Sequence, residues 1–260
     1  MLKINLITLL MCLYFFINQI MRLAILVAGV VYPCQNPWKQ LSCLVTRTNG
    51  TLFTSLEMNY MSKKYNTYMS PARKILLNMS ELHAGIRKHI PWIHERKNNM
   101  VFLKDELGYH TPYIIYRRFI LATALSDFSH VLVLRPDSLI NCEAMAEMLM
   151  RYIQGIHYWE AFSDEHNGHL CPQSINDQQF YGDATSVKNL LSAFPKLKYW
   201  HKEWESEPGF DKWWKVNNIV RPAHFFLNAE GIYGKILQKL NLTCVKNTLP
   251  IKLEKKCTIT

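Results

Sequence analysis

His130-Val-Leu-Val-Leu-Arg-Pro-Asp137 runs five strand-forming residues into an abrupt charged turn. A short, continuous apolar run bounded by turn residues is the pattern of a strand buried on both faces, as in a parallel sheet. A second run has the same character: in Met21-Arg-Leu-Ala-Ile-Leu-Val-Ala-Gly-Val-Val-Tyr-Pro33, residues Leu23–Val31 read as a first central strand. Between and after these two, helix-like and strand-like stretches alternate. Trp38–Val45 begins a short helix, Thr51–Leu56 a strand, and Pro71–Asn78 and Glu81–His89 two helix candidates. Pro112–Leu125 places Ile115, Phe119, Ala122 and Leu125 on one side at helical spacing. Cys142–Ile153 and Ala184–Phe194 read as helices around a short strand at Gln179–Tyr181, and Ala229–Leu240 and Leu242–Lys246 as a last helix and strand. The expected fold class is α/β, a mostly parallel sheet flanked by helices.

The composition supports a packed domain. Of 260 residues 49% are hydrophobic and 12% aromatic, which excludes a disordered chain. No repeat of 20–50 residues appears, which argues against solenoids and propellers. The organisation expected is an apolar leader or weak anchor over 1–20, one domain over 21–250 and a polar tail over 251–260. The run Ile4–Ile17 is shorter than the ~20 residues a spanning helix needs. Nothing in residues 1–20 carries a motif, so they are expected to be dispensable for folding.

Thirty Lys and Arg against twenty Asp and Glu leave a formal charge of +10. That excess suits anionic partners, from nucleic acid to phosphate-bearing small molecules, and equally suits a merely basic surface. The seven cysteines, at 12, 34, 43, 142, 171, 244 and 257, form no Cys-x-x-Cys pair and read as reduced thiols. Three Asn-x-Ser/Thr sequons, at Asn49, Asn78 and Asn241, are about what chance gives and do not by themselves fix a lumenal address.

In α/β sheets ligands sit at the carboxyl ends of strands, which directs attention to Arg135-Pro136-Asp137. Asp137 offers an oxygen ligand for Mn²⁺ or Mg²⁺ bridging a diphosphate, and Arg135 can bind phosphate or hold a carboxylate. The tripeptide also reads as a plain turn with Asp137 capping the next segment. Asn176-Asp177-Gln178-Gln179 precedes the short strand and the Gly182-Asp183 turn. There Asp177 has the character of a general base, with Asn176 and Gln178 as orienting groups. For Asp183 a helix N-cap is the better reading. The tryptophans at 200, 204, 213 and 214 suit either an acceptor-side wall for sugar rings or the core.

Taken in order, Leu23–Gly29, Tyr113–Arg118, His130–Asp137, Asn176-Asp-Gln-Gln-Phe-Tyr-Gly182 and Asn228-Ala-Glu230 resemble a group of GT-A-type glycosyltransferases of large DNA viruses and bacterial surface-polysaccharide clusters. The resemblance covers about Arg22 to Lys246. It departs at Ser129-His130, where a Tyr-Asp pair is usual, at Leu134, and in the second Gln of Asn-Asp-Gln-Gln. It implies a GT-A-like, Rossmann-like fold and transfer of a sugar from a nucleotide-sugar donor to the hydroxyl of a glycan or glycoprotein. It further implies donor nucleotide binding by Ala28, Gly29, Tyr116, Arg117 and Arg135, and metal binding by Asp137 with Mn²⁺ or Mg²⁺ as cofactor. Asp177 is the expected catalytic base and Glu230 the second choice. No nucleic-acid partner is expected. The expected address is the cytoplasm, the host's for a viral chain, with weak membrane association through residues 4–17. Two alternatives are a basic nucleic-acid-binding protein or metal-dependent nuclease, and a non-catalytic glycan-binding relic of the same fold.

Overall fold

The computed structural model describes residues 22–29, 36–56, 72–89, 110–151, 154–158, 179–205, 215–216, 219–220, 229–246 and 251–253. Its central sheet contains β1 (Leu23–Gly29), β2 (Thr51–Leu56), β3 (Arg73–Lys74), β4 (His130–Leu134), β6 (Ile156–Tyr158), β7 (Phe180–Asp183) and β10 (Cys244–Lys246). They lie in the order β10-β6-β7-β4-β1-β2-β3. β1 pairs parallel with both β2 and β4, β3 continues parallel beyond β2, and β10 is parallel to β6. β7 alone runs against its neighbours β4 and β6. Outside this sheet, β5 (Ser138–Ile140) pairs antiparallel with β11 (Ile251–Leu253), and β8 (Lys215–Val216) with β9 (Ile219–Val220).

The helices are α1 (Asn36–Thr48), α2 (Met79–His89), α3 (His110–Ala122), α4 (Cys142–Leu149), α5 (Ala184–Ser192), α6 (Leu197–Glu205) and α7 (Ala229–Leu240). Successive side chains of a strand face opposite ways, and β1 divides accordingly. Ala24, Leu26 and Ala28 join one buried cluster with residues of α3, α5 and α7. Leu23, Ile25 and Val27 join another with Trp38, Leu41 and Leu44 of α1 and with Met145 and Leu149 of α4. Every residue of β1 and of β4 is buried, which is why neither strand shows polar alternation. At roughly 1.5–3 kcal/mol for each large aliphatic side chain fully buried, these two strands are the centre of the fold's stability. The arrangement is a three-layer α/β protein, as the sequence led one to expect.

Several boundaries differ from the expectations. Over Pro71–Asn78 there is no helix among the described residues. Arg73 pairs with Phe53 as an edge strand, and the Ile75 N–H continues the ladder to the Thr54 carbonyl at 2.8 Å. Exposed Arg73 and Lys74 put charge on an edge that would otherwise invite further pairing. α2 starts at a capping box: the Glu81 N–H donates to Asn78 Oδ1 at 2.8 Å and the Asn78 N–H to Glu81 Oε2 at 2.9 Å. The polar tail does not begin at 251, because Ile251 is buried and pairs with Ile140. Cys43 and Cys142, read as reduced thiols, are joined in a disulfide that ties α1 to the start of α4. The Trp-rich stretch forms α6, with Trp200 partly buried against the core, while Trp213 and Trp214 lie outside the described residues.

Candidate functional site

The chain leaves β1 toward β2 and β3 on one side and returns through β4 on the other. The crevice between the carboxyl ends of β1 and β4 is therefore the topological switch point of the sheet, where an open α/β sheet offers its ligand site. Gly29 ends β1 there with φ +134°, and a Cβ at this position would stand 3.3 Å from Pro136 Cδ. Only glycine accepts that backbone without strain, and its missing side chain lets the two strand ends close together.

Arg135 and Asp137 flank Pro136 at this edge. The Arg135 Nε donates to Asp137 Oδ1 at 2.9 Å and Nη2 donates to Oδ2 at 2.8 Å. The Arg135 side chain remains 24% exposed and that of Asp137 8%. Of the two roles open to Arg135 in the sequence, it takes on the holding of a carboxylate. The turn also anchors β5: the Ile140 N–H donates to Gln40 Oε1 of α1 at 2.7 Å.

Gln179, the last of the four polar residues before the short strand, is fully buried, and among the described residues neither its Nε2 nor its Oε1 has a hydrogen-bond partner. β7 runs against β4 with Phe180 opposite Val133, so Gln179 enters at the same edge as Arg135. Sequence reasoning favours Asn176 and Gln178 as orienting groups and passes over Gln179. Its place directly before a buried strand is the signal that could have found it. Asn176, Asp177 and Gln178 lie outside the described residues. Glu230 falls in the first turn of α7.

Of the remaining expected donor residues, Arg117 reaches the carboxyl end of β2 beside Gly29, while Ala28 and Tyr116 are packed into the interior. Ala28 is fully buried with its side chain in the core. Arg117 is buried, its Nη1 donating to the Leu56 carbonyl at 3.2 Å and to Ser55 Oγ at 3.4 Å, so it secures the end of β2. Tyr116 turns away from the sheet edge into a ring cluster with Phe119, Phe194 and His89, and burial pushes its phenol up. A helix has several faces, and in α3 the one that carries Tyr116 packs on α2, whose Gly85 has no Cβ to collide with the Tyr116 hydroxyl. The Tyr116 ring and the Ala28 methyl are thus both held in the packed layers.

Asp183 caps α5 as expected. Burial alone would raise its carboxyl. Donation from Ser186, from the Gly155 N–H at 2.7 Å and the nearby His130 outweigh that and hold it below the usual carboxylate value. Among the described residues no group of three or more His, Cys, Asp or Glu side chains gathers as a metal cage. Nor is any described helix long and apolar enough to cross a membrane.

Fold and edge together define an α/β protein with a mostly parallel seven-stranded sheet flanked by helices and a charged Arg-Pro-Asp turn at its switch point. No known family's sequence profile matches the chain, and no curated protein matches it.

Proposed function

We propose that the chain is a glycosyltransferase that moves a sugar from a nucleotide-sugar donor to the hydroxyl of a glycan or glycoprotein. The observation that carries this reading is the Arg135–Asp137 pair at the carboxyl end of β4, facing the Gly29 end of β1. A cation oriented by a buried carboxylate, in a crevice narrowed by a glycine, suits the diphosphate of such a donor. The net charge of +10 favours the same anionic ligand.

The donor chemistry at this edge fits a divalent ion that arrives with the diphosphate. Asp137 is a hard oxygen donor, and each of its oxygens has a lone pair beyond the one Arg135 occupies. Asp137 is the residue that would hold Mn²⁺ or Mg²⁺, and the ion would neutralise charge on the departing diphosphate. Arg135 orients the same phosphates by direct donation. Asp177, two residues before Gln179 in the chain, is the proposed base for the acceptor hydroxyl, with Asn176 and Gln178 orienting, and Glu230 stands second. The cytoplasmic address expected from the sequence is not carried into this reading.

A fluorescence titration of the full chain with UDP- and GDP-sugars, with and without Mn²⁺, tests the reading. One donor class should bind, Arg135→Gln should weaken it at least about 10-fold, and Asp137→Asn should remove the Mn²⁺ dependence. Asp177→Asn should lower kcat by about 10²–10⁴-fold with donor affinity little changed. Failure of every nucleotide-sugar to bind, or unchanged binding in Arg135→Gln, would overturn it.

A further inference from the structure

We propose that this chain matures in an oxidising secretory compartment, where Cys43 and Cys142 become joined and Asn49 and Asn241 receive asparagine-linked glycans. The disulfide is the first support. Cys43 on α1 and Cys142 at the start of α4 have Cα atoms 6.2 Å apart, within the span a disulfide bridges, although 99 positions separate them in the chain. The bond lines an open surface groove of about 860 Å³ together with Gln40, Ile140 and Ile251, so it is within reach of cellular thiols. Such bonds persist in oxidising compartments and are rare where glutathione keeps thiols reduced. The third described cysteine, Cys244, is partly buried and burial pushes its thiol up to about 12, so it is no competing nucleophile.

The sequons supply the second support. Asn49-Gly50-Thr51 and Asn241-Leu242-Thr243 each follow a helix, α1 and α7. Both asparagines are exposed and left-handed, with φ of 50° and 49°. They stand just ahead of β2 and β10, which run in the same direction, so both lie at the amino edge of the sheet. The switch point with Gly29 and Arg135 is at the opposite edge. Bulky glycans at these two places leave that crevice open. Asn78 is exposed too, but it caps α2 beyond the carboxyl end of β3, on the edge of the candidate site, and we assign no glycan to it.

In each glycosylation the Asn Nδ2 forms a C–N bond to the anomeric carbon of a polyprenyl-diphosphate oligosaccharide. The C–O bond to the diphosphate breaks, polyprenyl diphosphate leaves, and the amide loses one proton. In the oxidation, the two thiols pass two electrons and two protons to the disulfide of a thiol oxidoreductase, which is released as a dithiol.

The test is to express the full chain in cultured eukaryotic cells and compare its electrophoretic mobility before and after an amidase that removes asparagine-linked glycans. Thr51→Val and Thr243→Val remove one sequon each and keep a residue that suits a strand; circular dichroism checks that both fold. Two amidase-sensitive steps are expected, one lost in each variant and none left in the double variant. Alkylation with a polymer-tagged maleimide should add tags at Cys43 and Cys142 only after reduction, as Cys43→Ser and Cys142→Ser identify. Mobility insensitive to the amidase, a step surviving in the double variant, loss of only one step across the two variants, or alkylation of Cys43 before reduction would each overturn the proposal. None of these readouts depends on nucleotide-sugar binding.

Discussion

Arg135 grips Asp137 at two points, Nε to Oδ1 at 2.9 Å and Nη2 to Oδ2 at 2.8 Å, across a proline that fixes the backbone between them. The carboxylate is the more buried partner and acts as the mount, while the guanidinium keeps the larger share of exposure. A lysine cannot reproduce a two-point fork. Arg135→Lys should therefore weaken binding of a nucleoside diphosphate about 10–100-fold, the worth of one or two charge-assisted bonds. Calorimetric titration against the wild type reads this directly, and equal affinities would show that the fork has no role in binding.

Gln179 gives a prediction of opposite sign for stability and for binding. Burying an amide with neither end hydrogen-bonded costs about 1–3 kcal/mol. Gln179→Leu should raise the urea midpoint by an amount equivalent to roughly 1 kcal/mol or more, and at the same time lower donor affinity. A variant that is both less stable and unimpaired in binding would remove Gln179 from the site.

Gly29→Ala tests the closeness of β1 and Pro136. The φ of +134° is strained for any L side chain, and the new Cβ would press Pro136 at 3.3 Å. A loss of about 1–3 kcal/mol in stability is expected, with donor binding reduced in the same variant. Full stability from denaturant unfolding would show that the turn can retreat.

His130 should give the fold a pH dependence. Burial lowers its pKa from 6.5, against an opposing pull from Asp183. The unfolded chain then takes up the proton first as pH falls below 6.5. The stability held above that pH is lost progressively below it, at no more than about 1.4 kcal/mol per pH unit for one group. His89 shifts the same way through burial, Lys88 and Lys198, so His130→Gln should remove only part of the slope. Melting temperatures from about pH 5 to 8 in both proteins measure the difference.

The Cys43–Cys142 bond closes a long loop in the unfolded chain, so its removal should be felt as stability. Replacing both cysteines with serine should lower it by about 2–4 kcal/mol. Denaturant unfolding of the double variant checks the figure. Reduction of the wild type should give a similar loss.

The two central strands were legible because all of Leu23–Gly29 and of Val131–Leu134 is apolar, and no other local structure explains such runs so briefly bounded. The reversal of β7 was not legible: four residues, Phe180–Asp183, carry no mark of direction, which depends on where the chain has been before. The Arg-Pro-Asp turn could be found from its position after a strand, but whether Arg135 faces a ligand or Asp137 is a matter of rotamers. Tyr116 and Arg117 are adjacent in sequence and point to different layers, since neighbouring helical positions do not share a face. The disulfide was hidden by separation alone, as no spacing rule joins positions 99 apart.

The position of β1 has a consequence for how this chain is made. Its neighbour β2 comes soon after, but on the other side Arg22 meets Ser129, 107 residues later. At about 5–20 residues per second a ribosome needs roughly 5–20 s to deliver that second neighbour. Throughout this interval one long edge of Leu23–Gly29 has its backbone donors and acceptors open, a template for pairing with any other extended segment. The strand at the centre of the finished sheet is thus the most vulnerable part of the nascent one.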